Sequence, residues 1–252
     1  MKKKLRFLVI GGDLRQARLC EMFQDDGHEV SVYALDRQKF ENDIMLCSDV
    51  RDCALKADCV VLPLPVTHEE GRLNSPLSNS SHKIEDILKM IPAGKLVAGG
   101  MVPPKVKALA NSYSIRLVDY LHREELAVLN AIPVAEGAIQ IAMEETPITI
   151  HGSECLVIGN GRIGKILACY LQGLGARVTV SARKCTDFAW IYAFGQEVLD
   201  TRLLEGNLSR FDIIFNTVPE LVLNEARLLE VKEDCLIIDL ASKPGGADQK
   251  FG

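Results

Sequence analysis

The segment Leu156-Val157-Ile158-Gly159-Asn160-Gly161-Arg162-Ile163-Gly164 carries the strongest structural signal in this chain of 252 residues. An apolar run of strand type runs straight into a G-x-G-x-x-G turn, and helical spacing follows at once. Over 162–174, Ile166, Leu167, Tyr170, Leu171 and Leu174 recur at intervals that give a helix one apolar face. In such a turn Gly159 permits the sharp reversal, Gly161 lets the backbone approach a pyrophosphate, and Gly164 lets helix and strand pack closely. Free N–H groups at the helix start then face the phosphates, so Asn160, Arg162 and Ile163 join the three glycines as expected cofactor contacts. Gly175-Ala176 leads into a second strand at Arg177–Val180. In that strand–turn–helix–strand setting the glycines predict a dinucleotide site.

The end of the second strand indicates which dinucleotide. A site for NAD places Asp or Glu there, about 20 residues after the first glycine, to hold the ribose 2′-hydroxyl. Here the position is Ser181, followed by Ala182, Arg183 and Lys184. A carboxylate would repel a 2′-phosphate, whereas a hydroxyl beside two cations attracts it, so the expected cofactor is NADP. The plainer reading of Arg183 and Lys184 is a pair of solvated charges at a helix start. Two later strand ends complete the expected cofactor set: Asn216-Thr217-Val218-Pro219, and Asp239 with Ser242. Ligands of open parallel sheets sit beyond the carboxyl ends of the strands.

Outward from this core, short apolar runs alternate with amphipathic stretches. Leu5–Ile10, Val30–Tyr33, Cys59–Leu62, Leu96–Ala98 and Arg116–Val118 read as buried strands, and 14–25, 83–91 and 104–112 as helices. The alternation resumes with Cys155–Ile158, Ile213–Phe215 and Cys235–Asp239. The expected fold is therefore α/β, with two Rossmann-like doubly wound parallel-sheet domains, a cleft between them and a linking helix. The boundaries expected are 1–130 for a substrate and partner domain, 131–150 for the interdomain helix and linker, and 151–252 for the cofactor domain. Pro133 lacks an N–H and disfavours helical geometry in Ile132, so Glu124–Glu145 is expected to split there into two helices. Pro63–His82, rich in Pro, Ser and Asn, is the one long irregular stretch, and loops of that length are often functional.

Composition removes whole classes of function. With 29 Lys+Arg against 34 Asp+Glu the net charge is −5, so no nucleic-acid partner is expected. No run approaches the roughly 18 consecutive apolar residues needed to span a bilayer. At the amino end Arg6 and Gly11-Gly12-Asp13 cut short any signal-peptide core, and a cytoplasmic location without membrane attachment is expected. The 8 cysteines form no C-x-x-C pair and read as buried thiols. His28, His68, His82, His122 and His151 show no metal-ligand spacing, so no metal is expected.

The first strand ends differently, in Gly11-Gly12-Asp13-Leu14-Arg15-Gln16. The third glycine of a dinucleotide fingerprint is missing. The glycines, the helix start and Arg15 read as a corner for a carboxylate; Asp13 also reads as the N-cap of the helix, which does not exclude that role.

Six segments are distinctive in combination: G-G-D-L-R-Q at 11–16, L-P-L-P at 62–65, A-I-P-V-A-E-G-A-I-Q at 131–140, G-N-G-R-I-G at 159–164, N-T-V-P at 216–219 and D-L-A-S-K-P-G-G at 239–246. With them the chain resembles the family of the dipicolinate synthase A subunit. The resemblance runs along nearly the whole chain. It implies NADP-dependent formation of dipicolinate from a dihydrodipicolinate- or hydroxytetrahydrodipicolinate-level intermediate of the lysine pathway, in the mother cell of a sporulating bacterium. It also implies a flavoprotein-like partner, the B subunit of dipicolinate synthase, and a homo-oligomer is expected. Family members continue through a further strand and helix past the point where this chain ends at Gly252, so residues that close the cleft are expected to lie outside it.

A dianionic dicarboxylate substrate calls for cations and backbone amides, for which Gly12, Arg15, Arg72, Ala135 and Gly137 are candidates. Lys243, His68 and Glu136 are the candidate catalytic residues, Lys243 as a cation facing the dianion and His68 and Glu136 as proton acceptors. Two other readings remain: an NADP-sensing regulatory or scaffold subunit, and a 2-hydroxyacid-dehydrogenase-like enzyme with another substrate. Enzymes of the latter group resemble one another in an Arg-Gly after the fifth strand and a downstream His. Here Ser242-Lys243-Pro244 follows that strand, and no His occurs after His151.

Overall fold

A computed structural model describes residues 3–40, 43–68, 71–242, and 245 and 246. The chain divides into two compact units, Met1–Arg123 and Glu124–Gly252.

The first unit holds β1 (Arg6–Ile10), β2 (Glu29–Tyr33), β3 (Met45–Leu46), β4 (Cys59–Val61), β5 (Leu96–Gly99) and β6 (Arg116–Asp119). They form one sheet in the order β3-β2-β1-β4-β5-β6, with every pairing parallel. Its helices are α1 (Leu14–Asp25), α2 (Val50–Lys56), α3 (Ile84–Met90) and α4 (Pro104–Ser112). Both sheet faces are covered, which explains why β1 is apolar throughout its second half. Leu8 and Ile10 pack with Ala54, Ile87 and Val106 on one face. Val9 packs with Cys20, Val30 and Val32 on the other. Strand order reverses direction between β1 and β4, and their carboxyl ends flank the crevice where sheets of this type hold ligands.

In the second unit the strands are β7 (Glu154–Ile158), β8 (Arg177–Ala182), β9 (Glu197–Asp200), β10 (Ile213–Asn216) and β11 (Leu236–Asp239). The parallel order is β11-β10-β7-β8-β9, so the reversal falls between β7 and β10. The helices are α5 (Glu124–Glu145), α6 (Arg162–Gly173), α7 (Cys185–Ala193) and α8 (Glu225–Leu228). Cys155 and Val157 face Ala138, Leu167 and Leu171, while Leu156 and Ile158 face Leu204, Phe211 and Leu223.

Three features differ from the sequence reading. Glu124–Glu145 is one uninterrupted helix with Pro133 inside it. Pro133 and Leu129 both lie on the exposed side, Leu129 61% exposed, so the carbonyl that loses its N–H partner sits on the wet face. The inner face, Ala131, Ala135, Ala138, Ile139 and Ala142, is small and buried, and packing against α6 outweighs the local preference. Among the described residues α5 is also the one helix long and apolar enough to cross a membrane, although Asn130, Glu136 and Gln140 interrupt its apolar run. Second, β3 and β9 escape the pattern. The first has two residues, and the second is a half-buried edge strand without a continuous apolar run. Third, Cys169 and Cys185 are exposed rather than buried. Burial pushes the thiols of Cys20 and Cys235 up to about 12.

Candidate nucleotide site

The three glycines after β7 divide by what surrounds them. Gly159 has φ +102°, and a Cβ there would lie 2.6 Å from Thr217 Oγ1 and 2.8 Å from Val218 Cγ2. A Cβ on Gly164 would collide with the Gly159 carbonyl oxygen. Both are required by the protein's own packing. Gly161 has φ −81°, which any residue adopts, and a Cβ there would meet nothing within 4 Å. The space it leaves open belongs to a cleft of about 380 Å³. Gly161 is also the N-cap of α6 and supplies no capping side chain, so among the described residues no side chain caps the first amides of that helix. These are the features a pyrophosphate needs, and the residues present fit a dinucleotide.

The cleft brings together Gly159, Asn160 and Gly161 from the turn, Ala182, Arg183 and Lys184 from the end of β8, and Thr217, Val218 and Pro219 from the end of β10. Thr217 Oγ1 donates to the Ile158 carbonyl at 2.9 Å, which holds the end of β10 against the end of β7. Four wall residues have no counterpart in the sequence reading: Asp187, Thr201, Glu220 and Val222. Asn160 Nδ2 donates to Asp187 Oδ1 at 3.4 Å, tying the glycine turn to the first turn of α7. Thr201 follows β9, which no apolar run announced. Glu220 directly follows N-T-V-P, and that adjacency was the available signal.

Other expected cofactor contacts lie elsewhere. Ser181 is 0% exposed, and its hydroxyl accepts from Thr201 Oγ1 at 3.2 Å. As a member of β8 it points into the sheet packing, so the hydroxyl on the cleft wall is that of Thr201. Arg162 turns its fork away onto Glu124, with Nε and Nη2 contacts of 2.9, 3.0 and 2.7 Å, and the pair lowers the Glu124 pKa and raises that of Arg162. Ile163 is half-buried in the first turn of α6. Asn216 is fully buried; its Nδ2 donates to Asp239 Oδ1 at 2.8 Å and to the Val218 carbonyl at 3.0 Å. The Asp239 carboxylate also accepts from the amides of Ala241 and Gly246, at 3.1 and 2.8 Å. Asn216 and Asp239 therefore brace the loops beyond β10 and β11 from behind. Ser242 is exposed and its carbonyl accepts from Gly245 N–H at 3.1 Å. Lys243 lies outside the described residues.

In the first unit the expected carboxylate corner is occupied by the chain itself. Gly11 N–H donates to the Tyr33 carbonyl and Gly12 N–H to the Asn74 carbonyl, both at 2.8 Å. Asp13 caps α1 in a reciprocal box with Gln16. Arg15 Nε and Nη2 fork onto the Asp13 carboxylate at 3.0 and 2.7 Å, and Nη2 also reaches the Leu64 carbonyl at 2.6 Å. Hydrogen bonding between the two side chains holds Asp13 below the usual carboxylate range and raises Arg15. Asp13 thus caps the helix, and the amides of Gly11 and Gly12 and the fork of Arg15 all have internal hydrogen-bond partners. Tyr120 shares this corner: a Cβ on Gly100 would lie 2.8 Å from its hydroxyl, and burial raises its pKa while Arg15 opposes the shift.

His68 and Arg72 lie close together in the first unit. Isolated antiparallel bridges pair Thr67 with Leu73 and Arg72 with Lys83. This places His68 and Arg72 in one open polar depression of about 730 Å³ with Ser75, Ser78, Asn79 and Ser81. Arg72 Nη1 donates to Ser81 Oγ at 2.7 Å. Ala135, Glu136 and Gly137 sit in mid-helix in α5, so their amides point along the helix at carbonyls four residues back rather than at a ligand. Ala135 is fully buried in the core of the second unit, and Glu136 is exposed on α5.

Comparison with known proteins agrees with this architecture. Residues 6–121 match the family of N-terminal domains of the dipicolinate synthase A subunit, and residues 147–252 match a putative NAD(P)-binding family. The chain is 31% identical over 249 residues to the A subunit of dipicolinate synthase from Bacillus subtilis (strain 168), covering 98% of this chain and 84% of that one. The crystal structure of the Bacillus subtilis protein superposes with a TM-score of 0.88 at 31% identity, over 100% of this chain and 85% of that one. Its counterpart from Bacillus halodurans gives 0.85 at 30% identity, over 98% and 85%. A D-lactate dehydrogenase from Escherichia coli, 17% identical with a TM-score of 0.59 over 98% and 76%, shares the fold alone.

Proposed function

This chain belongs to the family of the dipicolinate synthase A subunit, and on that basis we propose that it forms dipicolinate from a dihydrodipicolinate-level intermediate, using NADP as oxidant. The observation that carries the cofactor half is Gly161, whose missing side chain serves no internal contact and opens onto the cleft beside Arg183 and Lys184. The amides at the start of α6 would take the pyrophosphate, and the β8 end, with Arg183, Lys184 and Thr201, the 2′-phosphate. A bound nicotinamide would supply the hydride acceptor for oxidation of the dihydropyridine ring, held by the residues of the cleft. Aromatisation supplies much of the driving force, so the protein's work is orientation and charge neutralisation.

For the substrate dianion, the depression holding Arg72 and His68 offers a guanidinium, an imidazole and several hydroxyls in one place. Arg72 would neutralise a carboxylate and His68 would take the ring proton. A cytoplasmic protein acting with a flavoprotein-like B subunit in a sporulating cell completes the proposal. The test is to incubate the protein with NADP⁺ and a dihydrodipicolinate-level intermediate, with and without that partner, while following reduced-nicotinamide and pyridine absorbance. Both should rise together in equal amounts. Tight NADP binding with no turnover under either condition would favour the regulatory-subunit reading instead.

A further inference from the structure

The nucleotide cleft contains an ion pair whose position gives it a role in choosing the nucleotide. Arg183 Nη1 lies 3.2 Å from Glu220 Oε2. Arg183 follows β8, and Glu220 follows β10. In the sheet β7 lies between those two strands, so the pair crosses above the glycine turn that ends β7. It joins the two walls between which a dinucleotide has to lie. The other carboxylate of the cleft, Asp187, accepts from Asn160 and holds the turn. Glu220 instead holds the guanidinium on which the NADP reading depends.

We infer that Glu220 moderates the preference for NADP, by occupying Arg183 in the free protein and yielding it only to a 2′-phosphate. The inference rests on the proposed placement of that phosphate. A phosphate monoester carries nearly two charges and three strong acceptor oxygens, so it displaces a single carboxylate from a guanidinium. A ribose 2′-hydroxyl carries no charge and leaves the pair intact. Glu220 therefore weakens the binding of 2′-phosphorylated nucleotides and leaves NAD unaffected. The side chains are 59% and 63% exposed, so the effect is that of a solvated pair, about three- to fivefold in affinity.

Calorimetric titration of the parent, Glu220→Gln, Arg183→Met and the double variant with NADP⁺, NAD⁺ and adenosine 2′,5′-bisphosphate tests this. Glu220→Gln should bind NADP⁺ and the bisphosphate about three- to fivefold more tightly, with NAD⁺ unchanged. In the Arg183→Met background the same substitution should have no effect. Unchanged or weaker NADP⁺ binding by Glu220→Gln overturns the inference. So does an equal gain for NAD⁺, which would reflect the general charge of the cleft, or a loss for NAD⁺, which would make Glu220 a ribose ligand. A parent that binds NAD⁺ as tightly as NADP⁺ would remove the cofactor reading itself. The bisphosphate shift on Glu220→Gln would still decide the role of Glu220.

Discussion

Gly161 and Gly164 stand three positions apart, yet a methyl group added to each has a different destination. At Gly164 it strikes the Gly159 carbonyl; at Gly161 it enters the cleft. Gly161→Ala should therefore keep the fold, with stability within about 1 kcal/mol of the parent. It should lose NADP affinity by at least about tenfold, roughly 1.4 kcal/mol. Calorimetric binding and thermal unfolding, measured on the same sample, separate the two effects. A variant that binds NADP as tightly as the parent would mean that this turn does not carry the nucleotide. Arg15 teaches the complementary lesson. A cation next to two glycines looks like an anion site in sequence, and in the folded chain its fork rests on the neighbouring Asp13 carboxylate.

Among the elements, α5 shows how packing overrides a local signal. Proline in a helix interior removes one hydrogen bond and costs on the order of 3 kcal/mol, yet the helix passes through Pro133 unbroken. Its alanine-lined face and the matching face of α6 provide the compensation, and the carbonyl that loses its partner is on the solvent side. Replacing Pro133 with alanine restores the missing N–H at an exposed position. It should stabilise the protein by roughly 1–2 kcal/mol once the greater freedom of the unfolded chain is subtracted. Chemical denaturation would register this as a higher midpoint at unchanged slope. A lower midpoint would show that the pyrrolidine ring makes contacts the helix needs.

Across the whole chain, the two units share a sheet topology but not an open crevice. Both reverse strand order at the place where parallel sheets hold ligands. In the second unit that place is an open cleft. In the first it is filled from within: Asn74 accepts from Gly12, and a Cβ on Gly11 would lie 2.9 Å from both the Asn74 carbonyl oxygen and Leu73 Cδ2. Leu73 and Asn74 are only 4% and 2% exposed, so this plug belongs to the core. The chain should therefore take up one dinucleotide per polypeptide. Equilibrium titration giving two equivalents per chain would show that the 71–75 segment gives way to ligand.

Local sequence is enough to specify the parallel α/β class, most strand and helix positions and the nucleotide turn. All of these follow from short-range periodicity and from glycines whose spacing has a steric reason. Which side chains face the cleft is settled only by packing. Ser181 and Thr201 are 20 residues apart and both carry hydroxyls, but the register of β8 in the sheet buries the first and leaves the second on the cleft wall. Likewise Arg183 meets Glu220, Arg162 meets Glu124 and Gly12 meets Asn74 only after folding, because each pair joins segments separated by 37, 38 and 62 positions in sequence. A charge or an amide in a sequence declares what it can bind. Its partner is chosen by whichever group the packed backbone brings within hydrogen-bond distance first.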